Sequence, residues 1–103
     1  MDQVLKNVID VIVEVAHPDK IILFGSRANA TAGNQSDYDL LVLKKGIKNR
    51  RELTQNIYRN FSDVGAPIDL IVEETGRFEE KKSDPYLIYK TVAEEGKVVY
   101  EGS

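Results

Sequence analysis

Apolar residues recur along the chain at two spacings, one typical of helices and one typical of strands. Helical spacing is found over residues 2–17, 49–64 and 85–95, so three helices are predicted there. Their ends carry matching signals, because an Asn-x-x-Glu cap opens the second, Asp-Pro opens the third, and proline or glycine follows all three.

Short continuous apolar runs predict four strands, with the sequences KIILF, DYDLLVLK, IDLIVEE and KVVYE. The first and third are apolar on both faces, which is typical of strands buried within a sheet. Residues 26–36 are small and polar and leave room for a loop or a single helical turn. The polar segment 75–84 predicts a loop with a short helical piece. This order predicts an α/β (α+β) fold, a mixed β-sheet of about four strands with flanking helices.

The composition is that of a single soluble domain covering residues 1–103, with 42% hydrophobic and 30% charged residues. No apolar run is long enough to span a bilayer and the N-terminus does not resemble a signal peptide, so a cytoplasmic location without a membrane partner is expected. The absence of cysteine excludes disulfides, thiolate metal sites and a cysteine nucleophile. The net charge of -3 argues against RNA or DNA as a binding partner, because nucleic-acid-binding proteins usually carry an excess of basic residues.

One basic stretch departs from that acidic balance. The segment KKGIKNRR, residues 44–51, holds five basic side chains in eight residues. The simplest interpretation is a solvated loop that leads into a helix, and the alternative is a surface that faces phosphate or a partner.

Three aspartates carry the strongest chemical signal. Asp37 and Asp39 are two positions apart at the start of a strand, so their side chains project from one face and repel each other. Asp69 interrupts the apolar run of the third strand, where an unpaired carboxylate would be costly. If these two strands are neighbours, the three carboxylates meet and supply the hard oxygen ligands that Mg²⁺ prefers, with substrate phosphates completing its coordination.

A Gly-Ser pair follows the first strand directly, at Gly25 and Ser26. Glycine lets a backbone approach a ligand closely, and N–H groups at such a turn attract anions. Because the pair comes just before the two carboxylates of the next strand, we interpret it as the place where phosphates lie.

The segments GSRANA, SDYDLLV and IDLIV together resemble the minimal nucleotidyltransferases of the DNA polymerase beta-type superfamily, whose signature is Gly-Ser-x-Ala-Arg-Gly, a spacer, and Ser-Asp-x-Asp-Leu. The resemblance covers nearly the whole chain. It implies a mixed sheet with helices, ATP as substrate, Mg²⁺ at Asp37, Asp39 and Asp69, and nucleotide contacts at Gly25, Ser26, Arg27 and Ser36. Many such proteins resemble antitoxins encoded beside a HEPN-type toxin, and some of them silence the toxin by transferring AMP to one of its tyrosines. A homo- or hetero-oligomer is compatible with that role.

The match departs from the family pattern at two positions. Asn29 and Ala30 stand where the signature has arginine and glycine, and asparagine cannot replace the planar charged fork of an arginine at a phosphate. Arg27 is close enough in sequence to substitute for it.

Three hypotheses follow from these residues. The first is a Mg²⁺-dependent enzyme that transfers AMP from ATP to a hydroxyl of a partner protein and so acts as an antitoxin. The second is an antitoxin or regulatory subunit that neutralises its partner by binding alone, with a nucleotide site weakened at Asn29 and Ala30. The third is a catalytic subunit that acts on a small molecule or on RNA, for which the basic segment 44–51 is the supporting feature.

Overall fold

The computed structural model describes residues 2–25, 27–28, 37–62 and 64–102. In chain order, its elements are α1 (Gln3–Ala16), β1 (Lys20–Phe24), β2 (Tyr38–Lys44), α2 (Arg50–Arg59), β3 (Ile68–Glu74), α3 (Thr75–Lys81), α4 (Ile88–Glu95) and β4 (Lys97–Glu101). The predicted α/β fold with a mixed four-stranded sheet and flanking helices is confirmed. Over the described ranges, no helix has the length and apolar character needed to cross a membrane.

The four strands form one sheet in the order β3-β2-β1-β4. β1 runs antiparallel to β2 and β4, whereas β2 and β3 are parallel because α2 carries the chain back between them. The starts of β2 and β3 therefore lie side by side, next to the end of β1. This end of the sheet receives the residues that the sequence marks as functional.

Two hydrophobic layers enclose the sheet. On one face, the apolar stripe of α1 and Ile57 of α2 pack against Leu40 and Val42 of β2. The other face is covered by α3 and α4, through Phe78, Tyr89 and Val92, which belong to a second cluster with Ile22, Phe24, Leu41 and Leu43. Alternate residues of β2 thus point into different layers, as the period of a strand requires.

The predicted second helix extends too far. Its start is confirmed, since Asn49 accepts a hydrogen bond from the backbone of Glu52 at 2.9 Å, but it ends at Arg59 rather than Val64. At Asn60 the backbone N–H bonds to the carbonyl of Ile57, and the side-chain amide donates to the carbonyl of Asn56. These bonds tighten the last turn and satisfy terminal carbonyls, so the helix stops there.

The third predicted helix begins later than the Asp-Pro signal indicates. Asp84 accepts a hydrogen bond from the backbone of Tyr86 at 2.9 Å, which closes a local turn, and regular helix starts at Ile88 with Leu87 as its N-cap. The segment predicted as a loop with a short helical piece contains α3.

Candidate active site

Strand register brings two of the predicted carboxylates to neighbouring positions. Asp39 on β2 pairs with Asp69 on β3 in the parallel ladder, and Phe24 of β1 lies opposite Asp39 on its other side. Paired residues in adjacent strands point to the same face, so Asp39 and Asp69 both project from the face that carries α3 and α4. The expectation that these two strands are neighbours is confirmed.

Electrostatic strain is concentrated at Asp39. Burial raises the pKa of its carboxyl above the ordinary value, and the negative charges of Asp69 and Asp37 raise it further. Asp39 is partly buried, whereas Asp37 and Asp69 are exposed. The site therefore holds a half-buried carboxylate under repulsion from two acidic neighbours, which is an arrangement that a bound cation would relieve.

Gly25 forms the wall of this site. Its φ of 74° lies in the left-handed region that favours glycine, and its Cα packs directly against the side chain of Asp39. A Cβ at this position would lie 3.3 Å from the carboxyl carbon of Asp39 and would collide with one of its oxygens. The glycine of the Gly-Ser turn is therefore required by the carboxylate beside it, and its predicted contact with nucleotide stays a prediction.

The chemistry of the three aspartates fits Mg²⁺, because carboxylate oxygens are its usual protein ligands. In the described part of the chain, however, no three Asp, Glu or His side chains converge closely enough to hold a metal ion by themselves. Asp39 and Asp69 are placed as a pair, and Asp37 lies just before β2 within electrostatic reach. A complete ligand set would therefore need a side-chain rotation or oxygens supplied by substrate.

Arg27 is placed on the opposite face of the sheet. Its guanidinium lies 3.9 Å from the centre of the Tyr38 ring, and the Tyr38 hydroxyl donates a hydrogen bond of 2.9 Å to Asp2. Burial alone would raise the pKa of Asp2, but hydrogen bonds from the Leu5 backbone and from Tyr38, with the charge of Arg27, hold it below the ordinary value. This chain of contacts joins the N-terminus of α1 to the turn after β1, and a nucleotide contact by Arg27 stays a prediction.

Two of the predicted nucleotide contacts, Ser26 and Ser36, lie outside the described residues. Asn29 and Ala30, the two departures from the family signature, also lie outside them. Their expected roles stay predictions.

Asp69 does not lie in a strand buried on both sides, so this prediction from the sequence is wrong. β3 is an edge strand, and its buried residues are Val72 and Glu73, whereas Asp69 is exposed at the strand's beginning. Water can therefore solvate Asp69, which removes the expected cost of burial. The carboxylate that carries this cost is Glu73, whose residue is only 3% exposed.

Sequence reasoning missed the cluster around Glu73. One carboxylate oxygen accepts hydrogen bonds from Tyr89 at 2.6 Å and Arg50 at 3.0 Å and forms an ion pair with Arg77 at 3.2 Å. Its other oxygen accepts from the backbone of Glu74. The signal was present in the sequence, since Glu73 shares the face of Asp69 and precedes Arg77 by one helical turn. The cluster ties α2, α3 and α4 to β3.

The family described as polymerase beta, nucleotidyltransferase matches residues 6–103. No curated protein matches the chain in sequence at a significant level.

Two solved structures share the fold. A candidate nucleotidyltransferase from Sulfolobus solfataricus superimposes with a TM-score of 0.67 at 20% identity, over 96% of this chain and 78% of that one. A toxin-antitoxin structure with AMP-PNP gives a TM-score of 0.61 at 23% identity, over 95% of this chain and 73% of the other.

Proposed function

The chain belongs to the polymerase beta nucleotidyltransferase family, and from that premise we propose that it transfers AMP from ATP to a hydroxyl group, in particular a tyrosine, of a partner protein. The observation that carries the proposal is the in-register pair of Asp39 and Asp69, with Gly25 packed against Asp39.

The three aspartates would have different roles in AMP transfer. Asp39 and Asp69, joined by Asp37, would hold Mg²⁺, which when bound neutralises phosphate charge and polarises the α-phosphoryl group. Asp69 is exposed, so an incoming hydroxyl could reach it and give up its proton to this carboxylate. The hydroxyl oxygen would form a bond to the α-phosphorus of ATP. The bond between the α-phosphorus and the pyrophosphate oxygen would break, and pyrophosphate would leave.

We further propose that the partner is a HEPN-type toxin encoded beside this protein, which would make the chain an antitoxin. The sequence resemblance to minimal nucleotidyltransferases motivates the HEPN-type assignment, and the fold shared with a toxin-antitoxin structure with AMP-PNP supports a toxin as the partner. Modification of the toxin by AMP would then be the neutralising event.

Intact mass spectrometry of the neighbouring gene product tests the transfer. Incubation with this protein, ATP and Mg²⁺ should raise its mass in steps of one AMP, and Asp39→Asn should abolish the gain without unfolding the domain. An unchanged mass with the folded wild-type protein, or labelling that persists in the variant, would contradict the proposal.

A second candidate function is neutralisation by binding alone. It is favoured by the lack of a converged three-ligand group among the described residues. Calorimetric titration separates the two, because a binding-only antitoxin should hold its partner yet show no Mg²⁺-dependent affinity for ATP.

A further inference from the structure

The backbone around Asp69 lies at the edge of the sheet, where no strand of the described chain pairs with the outer side of β3. A groove of about 600 Å³ follows this edge between α2 and Tyr89. Asp69 is the second residue of β3 and is exposed. Among the described residues, no hydrogen bond or ion pair fixes its carboxylate. The direction of this carboxylate therefore depends on how firmly the backbone beneath it is held.

The hydroxyl of Tyr58 holds the backbone on both sides of Asp69. It accepts a hydrogen bond from the N–H of Leu70 at 2.8 Å and donates to the carbonyl of Ile68 at 3.3 Å. Each of these groups belongs to one of the two planar peptide units that flank the Cα of Asp69. A single side-chain oxygen thus contacts both of the peptide units that set the backbone conformation of Asp69.

The opposite side of the same peptide units faces β2. Backbone groups alternate in direction along a strand, so the N–H and C=O of Asp69 point towards β2 when the groups bonded to Tyr58 point away from it. The ladder agrees with this direction, because Asp69 pairs with Asp39, and the carbonyl of Pro67 accepts a hydrogen bond of 3.0 Å from the first residue of β2. Asp69 is therefore held from two sides, by β2 and by the hydroxyl of Tyr58.

Tyr58 is itself anchored near the end of α2. Its ring packs edge-to-face on Phe61, with 6.0 Å between the ring centroids, and Phe61 packs against the core. The carbonyl of Tyr58 accepts from the N–H of Phe61 at 3.1 Å, which closes the turn after the helix. At the other end of α2, Arg50 forms an ion pair of 3.0 Å with Glu73 of β3. α2 is thus fastened to β3 near both of its ends.

We propose that Tyr58 is a positioning residue for the candidate active site, because its hydroxyl takes the place of a missing strand and fixes the backbone of Asp69 beside Asp39. The inference rests on the proposed function for the role of Asp69 in AMP transfer. It adds a residue of α2, which packs on the other face of the sheet, to those on which transfer depends. Tyr58 acts through the position of Asp69 and not by contact with the reacting groups.

Amide hydrogen exchange tests the contact without any substrate. Tyr58→Phe keeps the ring and removes the hydroxyl, so the Leu70 N–H should exchange about 10-fold or more faster relative to the Ile71 N–H, which faces β2. Tyr89→Phe is the matched control, since it removes another hydroxyl that bonds to β3, at Glu73. In that control the same ratio should stay within about 2-fold of the wild-type value. An unchanged ratio in Tyr58→Phe would overturn the proposal.

Steady-state kinetics of AMP transfer to the neighbouring gene product test the consequence. In Tyr58→Phe, kcat should fall about 10-fold, because a small displacement of Asp69 misplaces the group that receives the proton. KM for ATP should stay within about 2-fold, since Asp39 and the wall at Gly25 are unchanged. Tyr89→Phe should keep both constants within about 2-fold. It should nevertheless lose at least as much stability in urea unfolding, because its buried hydroxyl is bonded to a carboxylate.

The outcomes separate this inference from the proposed function. Equal losses of kcat in the two variants, or a kcat of Tyr58→Phe within about 2-fold of the wild-type value, would refute the positioning role and leave AMP transfer in place. A wild-type protein that transfers no AMP would refute the proposed function, and the positioning role would fall with it. Faster exchange of the Leu70 amide in Tyr58→Phe would then report a structural contact only.

Discussion

Gly25 and Gly46 offer a matched pair of substitutions that tests the candidate site. Both have a φ of 74°, so alanine at either position adopts a left-handed conformation at a cost of about 1–2 kcal/mol. Alanine also restricts the unfolded chain, which offsets about 0.4–1 kcal/mol of this cost, so the backbone strain alone should lower the unfolding free energy of each variant by about 1 kcal/mol. For a domain of this size, that corresponds to a fall in melting temperature of roughly 4–8 °C.

The two positions differ in what a new Cβ would meet. At Gly46 nothing lies within 4 Å, whereas at Gly25 the Cβ would collide with the carboxylate of Asp39. The short, partly buried side chain of Asp39 has to swing away, and a displacement of about 1 Å at a reacting centre can cost about 100-fold in rate. Gly25→Ala should therefore reduce AMP transfer by about 100-fold, and Gly46→Ala by no more than about 2-fold.

Urea unfolding and initial rates of AMP incorporation into the partner measure these two effects separately. Gly25→Ala should lose more stability than Gly46→Ala, because its Cβ also displaces the side chain of Asp39, and it should lose far more of the activity. If Gly25→Ala transfers AMP within about 3-fold of the wild-type rate, or if Gly46→Ala loses as much activity, the placement of Asp39 at the reacting centre is refuted.

Three further predictions concern stability. Asp39→Asn should raise the free energy of unfolding by about 0.5–1 kcal/mol, because it removes a partly buried charge repelled by its neighbours, and a lower urea midpoint would contradict this. Glu73→Leu should lower the unfolding free energy by about 3 kcal/mol and Tyr89→Phe by about 1 kcal/mol. The double variant should cost about 1 kcal/mol less than their sum, because the Glu73–Tyr89 hydrogen bond is lost only once, and additive losses would argue against that bond. Burial and the hydrogen bond to Glu73 raise the pKa of Tyr89 to about 12. The stabilisation that the protonated Tyr89 hydroxyl provides is therefore complete below about pH 10 and is lost as the pH rises towards 12. The unfolding free energy of Tyr89→Phe should fall less than that of the wild-type protein over this pH range. Identical pH profiles for the variant and the wild type would contradict a role of Tyr89 ionisation.

The predicted strands were the most accurate part of the sequence analysis. Each of these runs became a strand, because short segments rich in β-branched residues and bounded by turn residues favour extended chain within a sheet. Helix ends were less accurate, since Asn60 and Asp84 each made local side-chain bonds to the backbone that compete with the helical pattern. Such bonds depend on rotamers, which the spacing of apolar residues does not encode.

The pairing of Asp39 with Asp69 could be predicted from the sequence once the two strands were assumed to be neighbours, because the period of a strand fixes which side chains share a face. The edge position of β3 could not be predicted, since it depends on the order of strands in the sheet. For that reason the buried charge was assigned to Asp69 and the cluster at Glu73 was missed. The same strand order created the groove that α2 and Tyr89 enclose.

The parallel pairing of β2 and β3 has a consequence for how the candidate site is assembled during folding. The antiparallel pair β1 and β2 can form from a contiguous part of the chain, but β3 reaches β2 only after α2 has been made and has crossed the sheet. The Asp39–Asp69 pairing is therefore less local than the β1–β2 pairing, although it is more local than the β1–β4 pairing. A molecule in which β3 has not yet docked on β2 would lack the assembled carboxylate pair.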